Sequence, residues 1–256
     1  ALMSMVKGDR RAAAKHLIKV DTNISPSQTQ EQMINQLFYS YLNFAQGKLT
    51  EATRNVNEAH KLAETSNDSR ALIEVYLWHG EMCLRIADWQ CLANQLSVVE
   101  PLVSDDMLEY ATVFGWLSNA LALEVGQVDR SELQPFIDNL PLGQIPLTVE
   151  LKVLLDLQER LRLSPTSKLM TRANELAKPI YYQSYMQWLY LNSELDIEAL
   201  RKLKAQLQGH PEHWRNHLYL TRFTDEYSQQ QQRLALQNWL SQLSETQAKQ
   251  YEAHYF

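Results

Sequence analysis

The sequence predicts an all-α protein, a right-handed superhelix of antiparallel helix pairs. The main observation is a corner of small residues that recurs at intervals of 39, 40 and 39 residues. Its copies are Gly8-Asp9, Gly47-Lys48, Ala87-Asp88 and Gly126-Gln127. A constant period of this size is typical of units that bury their apolar faces only by stacking. The 256 residues include only 7 Gly and 8 Pro, which favours long helices over many short strands.

The second unit shows the helix-pair plan most clearly. A first helix is predicted over residues 31–46, where apolar residues recur at helical spacing. Gly47 follows it, as glycine commonly follows the last turn of a helix. The next helix carries Ala52, Val56 and Ala59 on one stripe. Because two of these side chains are small, we expect a close contact between the paired helices.

The neighbouring units repeat this plan. The third unit has a first helix over 70–86, with Gly80 inside it, and a second helix after the corner 87–89. The fourth unit has predicted helices over 107–125 and 131–139. Only the corner at Gly8 and the helix that follows it are recognised from the first unit.

The period becomes less regular beyond residue 140. The stretch 140–146 is the most loop-like segment and a candidate hinge. Further helices are predicted over 148–163, 168–177, 181–192, 196–207, 211–225, 229–243 and 245–255. We therefore expect repeats with a 39–40-residue period over 1–140, and degenerate helix pairs with a C-terminal cap, in the same superhelix, over 141–256.

Several of these positions match the tetratricopeptide pattern. Unit two places Gly47, Leu49, Ala52, Val56 and Ala59 at the expected spacing, and unit three repeats it with Ala87, Trp89, Leu92, Leu96 and Val99. The chain thus resembles the tetratricopeptide-repeat family, although its period exceeds the family's 34 residues. The longer repeat is similar to the sensor superhelix of MalT-like transcription regulators. That resemblance implies a cytoplasmic binding module of a larger regulatory or signalling protein.

Composition limits the partners of the chain. The net charge is −6, and the densest basic run, 201–204, has no interleaved aromatic residues, so we expect no direct contact with nucleic acid. No apolar run approaches the length of a membrane span, and no signal peptide is recognisable. The first residues resemble the second half of a helix, from which we expect an excised fragment. Cys83 and Cys91 are interpreted as separate small buried thiols in a reducing compartment.

No catalytic or metal-binding motif is recognised. Phosphate-loop, dinucleotide-binding and nucleophile-elbow motifs are missing from the sequence. The carboxylate pairs Glu74/Glu81 and Asp156/Glu159 are interpreted as exposed helix faces, since no nucleophile accompanies them. His210, His213 and His217 have a spacing that zinc accepts, but no cysteine is near and no carboxylate except Glu212 has a defined spacing, so they are interpreted as surface residues. We therefore expect no enzyme activity, no metal and no cofactor.

The sequence predicts instead a protein or peptide partner in the concave groove, where first-helix residues of adjacent units project together. The family pattern places Lys152 at such a position, together with most of the candidate contact residues. These candidates are Tyr41, Trp78, Glu81, Arg85, Trp116 and Glu159. Aromatic and arginine side chains are typical interface anchors. The alternative is a domain that senses a small-molecule effector, as in MalT-like regulators. The oligomeric state is left open.

Overall fold

Every regular element in the described part of the chain is helical. The structure is a computed structural model that describes residues 10–25, 27–66, 68–161 and 226–255. The α-helices are α1 Arg10–Asp21, α2 Thr29–Ala45, α3 Leu49–Ser66, α4 Ser69–Arg85, α5 Trp89–Val99, α6 Leu108–Glu124, α7 Gln134–Asp138, α8 Leu147–Leu161, α9 Glu226–Leu240 and α10 Glu245–Tyr255. The predicted all-α class is confirmed for these residues. The corner at Gly8 and the helices predicted between 168 and 225 lie outside them.

One predicted helix is divided. The sequence predicts a single helix over 131–139, whereas the structure has a 3-10 helix, Arg130–Leu133, followed by α7. Pro135 is in the first turn of α7, where its missing N–H costs no hydrogen bond. The same proline could not donate inside a continuous α-helix, so the helix begins anew there.

The recurring corner is a repeated backbone motif. Gly47, Ala87 and Gly126 all have left-handed backbones, with φ of 73°, 57° and 71°. Each donates its N–H to the carbonyl three residues earlier, and the next residue donates to the carbonyl five residues earlier. This pair of hydrogen bonds is the Schellman motif. The small residues found at the sequence period are therefore the residues that end α2, α4 and α6.

The Cα packing divides the chain into two compact units, called unit 1 and unit 2, which are not the repeat units of the sequence. Unit 1 comprises 1–24, 38–55 and 154–242, and unit 2 comprises 25–37, 56–153 and 243–256. The units interleave along the chain, and the predicted division after residue 140 stays a prediction.

In unit 1, the end of α2 packs on the start of α3. Ala52 is fully buried, and its carbonyl accepts a hydrogen bond from the Ser40 hydroxyl at 3.0 Å. Phe44 meets the Trp239 ring edge to face, with centroids 5.6 Å apart. The Gln242 side chain donates to the Gly47 carbonyl, at the corner between α2 and α3. The close contact that the sequence predicts at Ala52 is confirmed.

In unit 2, α4 packs against both α5 and α6, and α5 packs against α6. Gly80 lies at this junction. A Cβ atom at position 80 would lie 3.3 Å from Leu92 Cδ1 and 3.4 Å from Leu117 Cδ1. A small residue at mid-helix therefore lets α4 approach two neighbours at once. No helix in the described ranges is both long and apolar enough to cross a lipid bilayer.

The interpretation of Cys83 and Cys91 as separate thiols was wrong. The structure joins them in a disulfide, with Cα atoms 5.7 Å apart. The corner at Ala87 turns α5 back along α4, and this brings the third residue of α5 beside the last turn of α4. The linear sequence shows two cysteines in separate apolar stretches, so the pairing becomes visible only once the corner is folded.

Candidate functional site

A group of charged residues gathers around one tryptophan in unit 2. We call Glu81, Arg85, Trp116 and Lys152 the Glu81 cluster. Lys152 Nζ lies 2.5 Å from Glu81 Oε2, and Arg85 Nη2 lies 3.8 Å from Glu81 Oε1. The first contact is a hydrogen-bonded ion pair, and the second is an ion pair without a hydrogen bond. One carboxylate therefore stands between two cations.

Three helices supply this cluster. Glu81 and Arg85 are four residues apart on α4, which places them on one face of that helix. Trp116 lies in the middle of α6, and Lys152 lies in the first half of α8. These are the first helices of consecutive predicted pairs, and their residues meet within unit 2.

Both cations also lie near the face of the indole. Arg85 Cζ is 5.9 Å and Lys152 Nζ is 5.4 Å from the centroid of the Trp116 ring. An aromatic face attracts cations at this range, more strongly where water is excluded. Trp116 itself is fully buried, so its ring supports the cations and has no surface of its own.

Burial gives the cluster its electrostatic character. The Glu81 side chain is 9% exposed, against 15% for Arg85 and 29% for Lys152. A carboxylate this deeply buried needs a charged partner, which Lys152 provides. The most accessible member of the cluster is Lys152. The cluster therefore favours a negatively charged group at its surface.

The structure brings together half of the predicted contact residues. Glu81, Arg85 and Trp116 are in the cluster. Trp78 is half-buried on α4 in the same unit. Lys152 was not among the predicted contacts, although its groove position in the predicted helix over 148–163 was a signal that could have identified it.

Two predicted residues belong to unit 1. Tyr41 is half-buried and packs on the core formed by Ala13, Leu17 and Leu42. Glu159 is half-buried on α8.

The carboxylate pairs considered as acid and base differ in their surroundings. Asp156 is buried and pairs with Arg160 Nε at 2.6 Å, whereas Glu159 is half-buried. Glu81 pairs with Lys152. Glu74 is exposed on α4, as the sequence predicted, but the neighbouring protein still desolvates its carboxylate in part. This desolvation, with the charges of Glu109 and Asp68, raises the pKa of Glu74. The interpretation as exposed helix faces was wrong for Glu81 and Asp156, because helix packing encloses both side chains.

A second polar group surrounds the disulfide. We call His60, His79, Cys83 and Cys91 the His-Cys cluster. His60 Nε2 lies 3.0 Å from His79 Nδ1, and His79 Nε2 lies 3.9 Å from Cys91 Sγ. Burial, with the nearby His79, lowers the pKa of His60 to about 4, and burial lowers the pKa of His79. Both rings are therefore neutral at neutral pH. His210, His213 and His217 lie outside the described residues.

Comparison with known proteins adds no relative. No protein-family model, no curated protein and no solved structure matches this chain. The resemblance to tetratricopeptide repeats therefore rests on the residues quoted above.

Proposed function

We propose that this protein is a non-catalytic binding module that holds an acidic segment of a protein or peptide partner at the Glu81 cluster. The supporting observation is the pair of cations, Arg85 and Lys152, held over Trp116 around a single buried carboxylate. A partner carboxylate would contact Lys152, which is the most exposed charged residue of the cluster. The cations are already ordered by Glu81 and the indole, which lowers the entropy cost of binding.

We infer further that the helix pairs continue as a right-handed superhelix that resembles tetratricopeptide repeats. The support is the period of 39–40 residues together with the repeated Schellman corners at Gly47, Ala87 and Gly126. Such arrays present residues of successive first helices along one surface. A cytoplasmic role within a larger regulatory or signalling protein is part of this proposal and rests on the sequence alone.

The test is selection from a random peptide library displayed on phage. The wild-type chain is the target, and an Arg85→Ala/Lys152→Ala double variant is the comparison. We expect the wild type to enrich peptides rich in Asp and Glu, and synthetic copies of these to bind the double variant at least tenfold more weakly. Lys249→Ala is the matched control, because Lys249 is a 73% exposed lysine paired with Glu245 in the same unit.

The outcomes separate the proposal from its alternative. Peptides that bind the double variant as tightly as the wild type would contradict the role of the cluster. Small carboxylates or phosphates that raise the melting temperature of the wild type but not of the double variant, with no peptide enriched, would favour the effector-sensing domain.

A further inference from the structure

We propose that Cys83, Cys91 and His79 bind a thiophilic divalent cation such as Zn²⁺ when their disulfide is reduced, and release it when the disulfide forms again. The donor atoms of these three residues lie within 4.8 Å of one another. They come from adjacent turns of α4 and from the first turn of α5. The site is independent of the proposed partner binding.

The separations suit a tetrahedral ion. With Zn–S bonds of about 2.3 Å and Zn–N bonds of about 2.0 Å, neighbouring ligand atoms lie about 3.5–3.8 Å apart. His79 Nε2 is already 3.9 Å from Cys91 Sγ. Once the disulfide opens, the two sulfur atoms need only separate to about 3.8 Å by side-chain rotation. Three protein ligands then leave a fourth position for water, as in open zinc sites.

His60 orients the histidine ligand. We assign the proton of His79 to Nδ1, which donates to His60 Nε2 across 3.0 Å. The lone pair on His79 Nε2 then faces the sulfur atoms. A second hydrogen bond of this kind usually fixes the ring of a metal-binding histidine. In this tautomer, His60 carries its own proton on Nδ1, a buried atom without a hydrogen-bond partner in the structure. His60 is thus a positioning residue.

The local backbone holds the cysteines in place. The Asp88 carboxylate accepts the N–H of Cys91 at 3.0 Å and so caps the start of α5. The same carboxylate accepts a hydrogen bond from the side-chain amide of Gln247 at 2.9 Å. Cys83 is buried, whereas Cys91 and His79 are half-buried, which gives an ion a path from the solvent.

The chemistry balances with a dithiol reductant. The reductant passes two electrons and two protons to the Cys83–Cys91 bond, which opens to two thiols, and the reductant becomes a disulfide. Zn²⁺ then displaces both thiol protons to bind two thiolates, and it accepts the His79 lone pair without a proton change. For the return step, a small disulfide oxidant accepts two electrons from the thiolates and takes up two protons to become a dithiol. The Cys83–Cys91 bond forms again, and Zn²⁺ is released because its thiolate ligands are gone.

The test measures Zn²⁺ binding to the full chain after anaerobic reduction with a phosphine, and again after reoxidation. A background in which His210, His213 and His217 are all replaced by Gln removes the other histidine group of the sequence. We expect about one bound Zn²⁺ in the reduced form and none in the oxidised form. Cys91→Ala should abolish binding, and His60→Gln should weaken it about 10–100-fold. His16→Gln, on an exposed residue of α1, should have no effect.

Two results would overturn the proposal. The first is a reduced wild-type chain that takes up no Zn²⁺, a result that does not depend on the folding of any variant. The second is binding that persists in folded Cys91→Ala or is equal in the oxidised chain. As a second measurement, Co²⁺ added to the reduced chain should produce a thiolate charge-transfer band that is missing after reoxidation.

Discussion

At the residue scale, the Glu81 cluster shows how one buried carboxylate organises its surroundings. Glu81 is 9% exposed on its side chain and pairs with Lys152 at 2.5 Å. Without that carboxylate, the partly buried Lys152 ammonium would lose the counter-charge to which it is hydrogen-bonded. A charge in a partly desolvated place is costly without a partner, so Glu81 stabilises the fold as well as the proposed site.

Glu81→Gln keeps the shape of the side chain and removes its charge. We expect it to lower the free energy of unfolding by about 1–3 kcal/mol, because it leaves the partly buried Lys152 without the carboxylate with which it pairs. Urea denaturation measures the change. Glu245→Gln removes an 84% exposed partner of Lys249 and should cost less than about 1 kcal/mol. Equal effects of the two substitutions would contradict the importance given to burial.

Glu74 differs from Glu81 in that its charged form destabilises the fold, so it predicts a stability that depends on pH. Desolvation, with Glu109 and Asp68 nearby, raises its pKa above the usual 4.5, so the folded state disfavours the charged form. The resulting loss of stability is fully present above the folded pKa and disappears as the pH falls below about 4.5. Glu74→Gln should therefore stabilise the protein at pH 7 and have little effect near pH 4. Urea denaturation at both values, with Glu245→Gln as the comparison, measures this. A gain that is the same at both values would show that the charge is not its cause.

At the element scale, the corners set the ends of the first helices. Gly47, Ala87 and Gly126 have the same left-handed backbone and the same pair of hydrogen bonds. Two are glycine, which adopts this conformation without steric cost. The third is Ala87, whose Cβ is tolerated there at some cost. The sequence period is therefore a period of helix endings, one after each first helix.

Gly126→Ala isolates the backbone term at such a corner. No atom would lie within 4 Å of the new Cβ, so the expected cost comes from the φ of 71° alone. We expect a loss of about 1 kcal/mol in the free energy of unfolding. Gly126→Asn should lose less, because asparagine adopts left-handed backbones more readily. Thermal denaturation of both variants is the measurement. An alanine variant as stable as the wild type would mean that the corner relaxes to another backbone.

At the scale of the whole molecule, the proposed superhelix has a measurable size. A compact domain of 256 residues has a radius of gyration of about 18 Å. An array of helix pairs stacked in one direction is more elongated, so small-angle X-ray scattering from the monomer should give a clearly larger value. A radius of about 18 Å would contradict the superhelix while leaving the helix pairs intact.

The sequence by itself determined the helices and their endings. Residues 29–45 and 69–85 form helices within two residues of the predicted bounds, because apolar periodicity and terminal glycines are local signals. The small residues Gly80 and Ala52 likewise indicate close helix contacts, because only a short side chain leaves room for a neighbouring helix. The predicted helix over 131–139 missed the break at Pro135. This error was also local, because the sequence shows the proline but not whether it lies inside a long helix or in the first turn of a new one.

Only the tertiary structure decided which side chains meet. Trp116 was predicted as a contact residue and is fully buried beneath Arg85 and Lys152. Cys83 and Cys91 were predicted as separate thiols and are joined. His60 and His79 lie on different helices, 19 residues apart, a separation that matches no motif by which the sequence could have paired them. In each case the contact depends on how two helices are turned toward each other, and that rotation follows from the packing of many side chains at once.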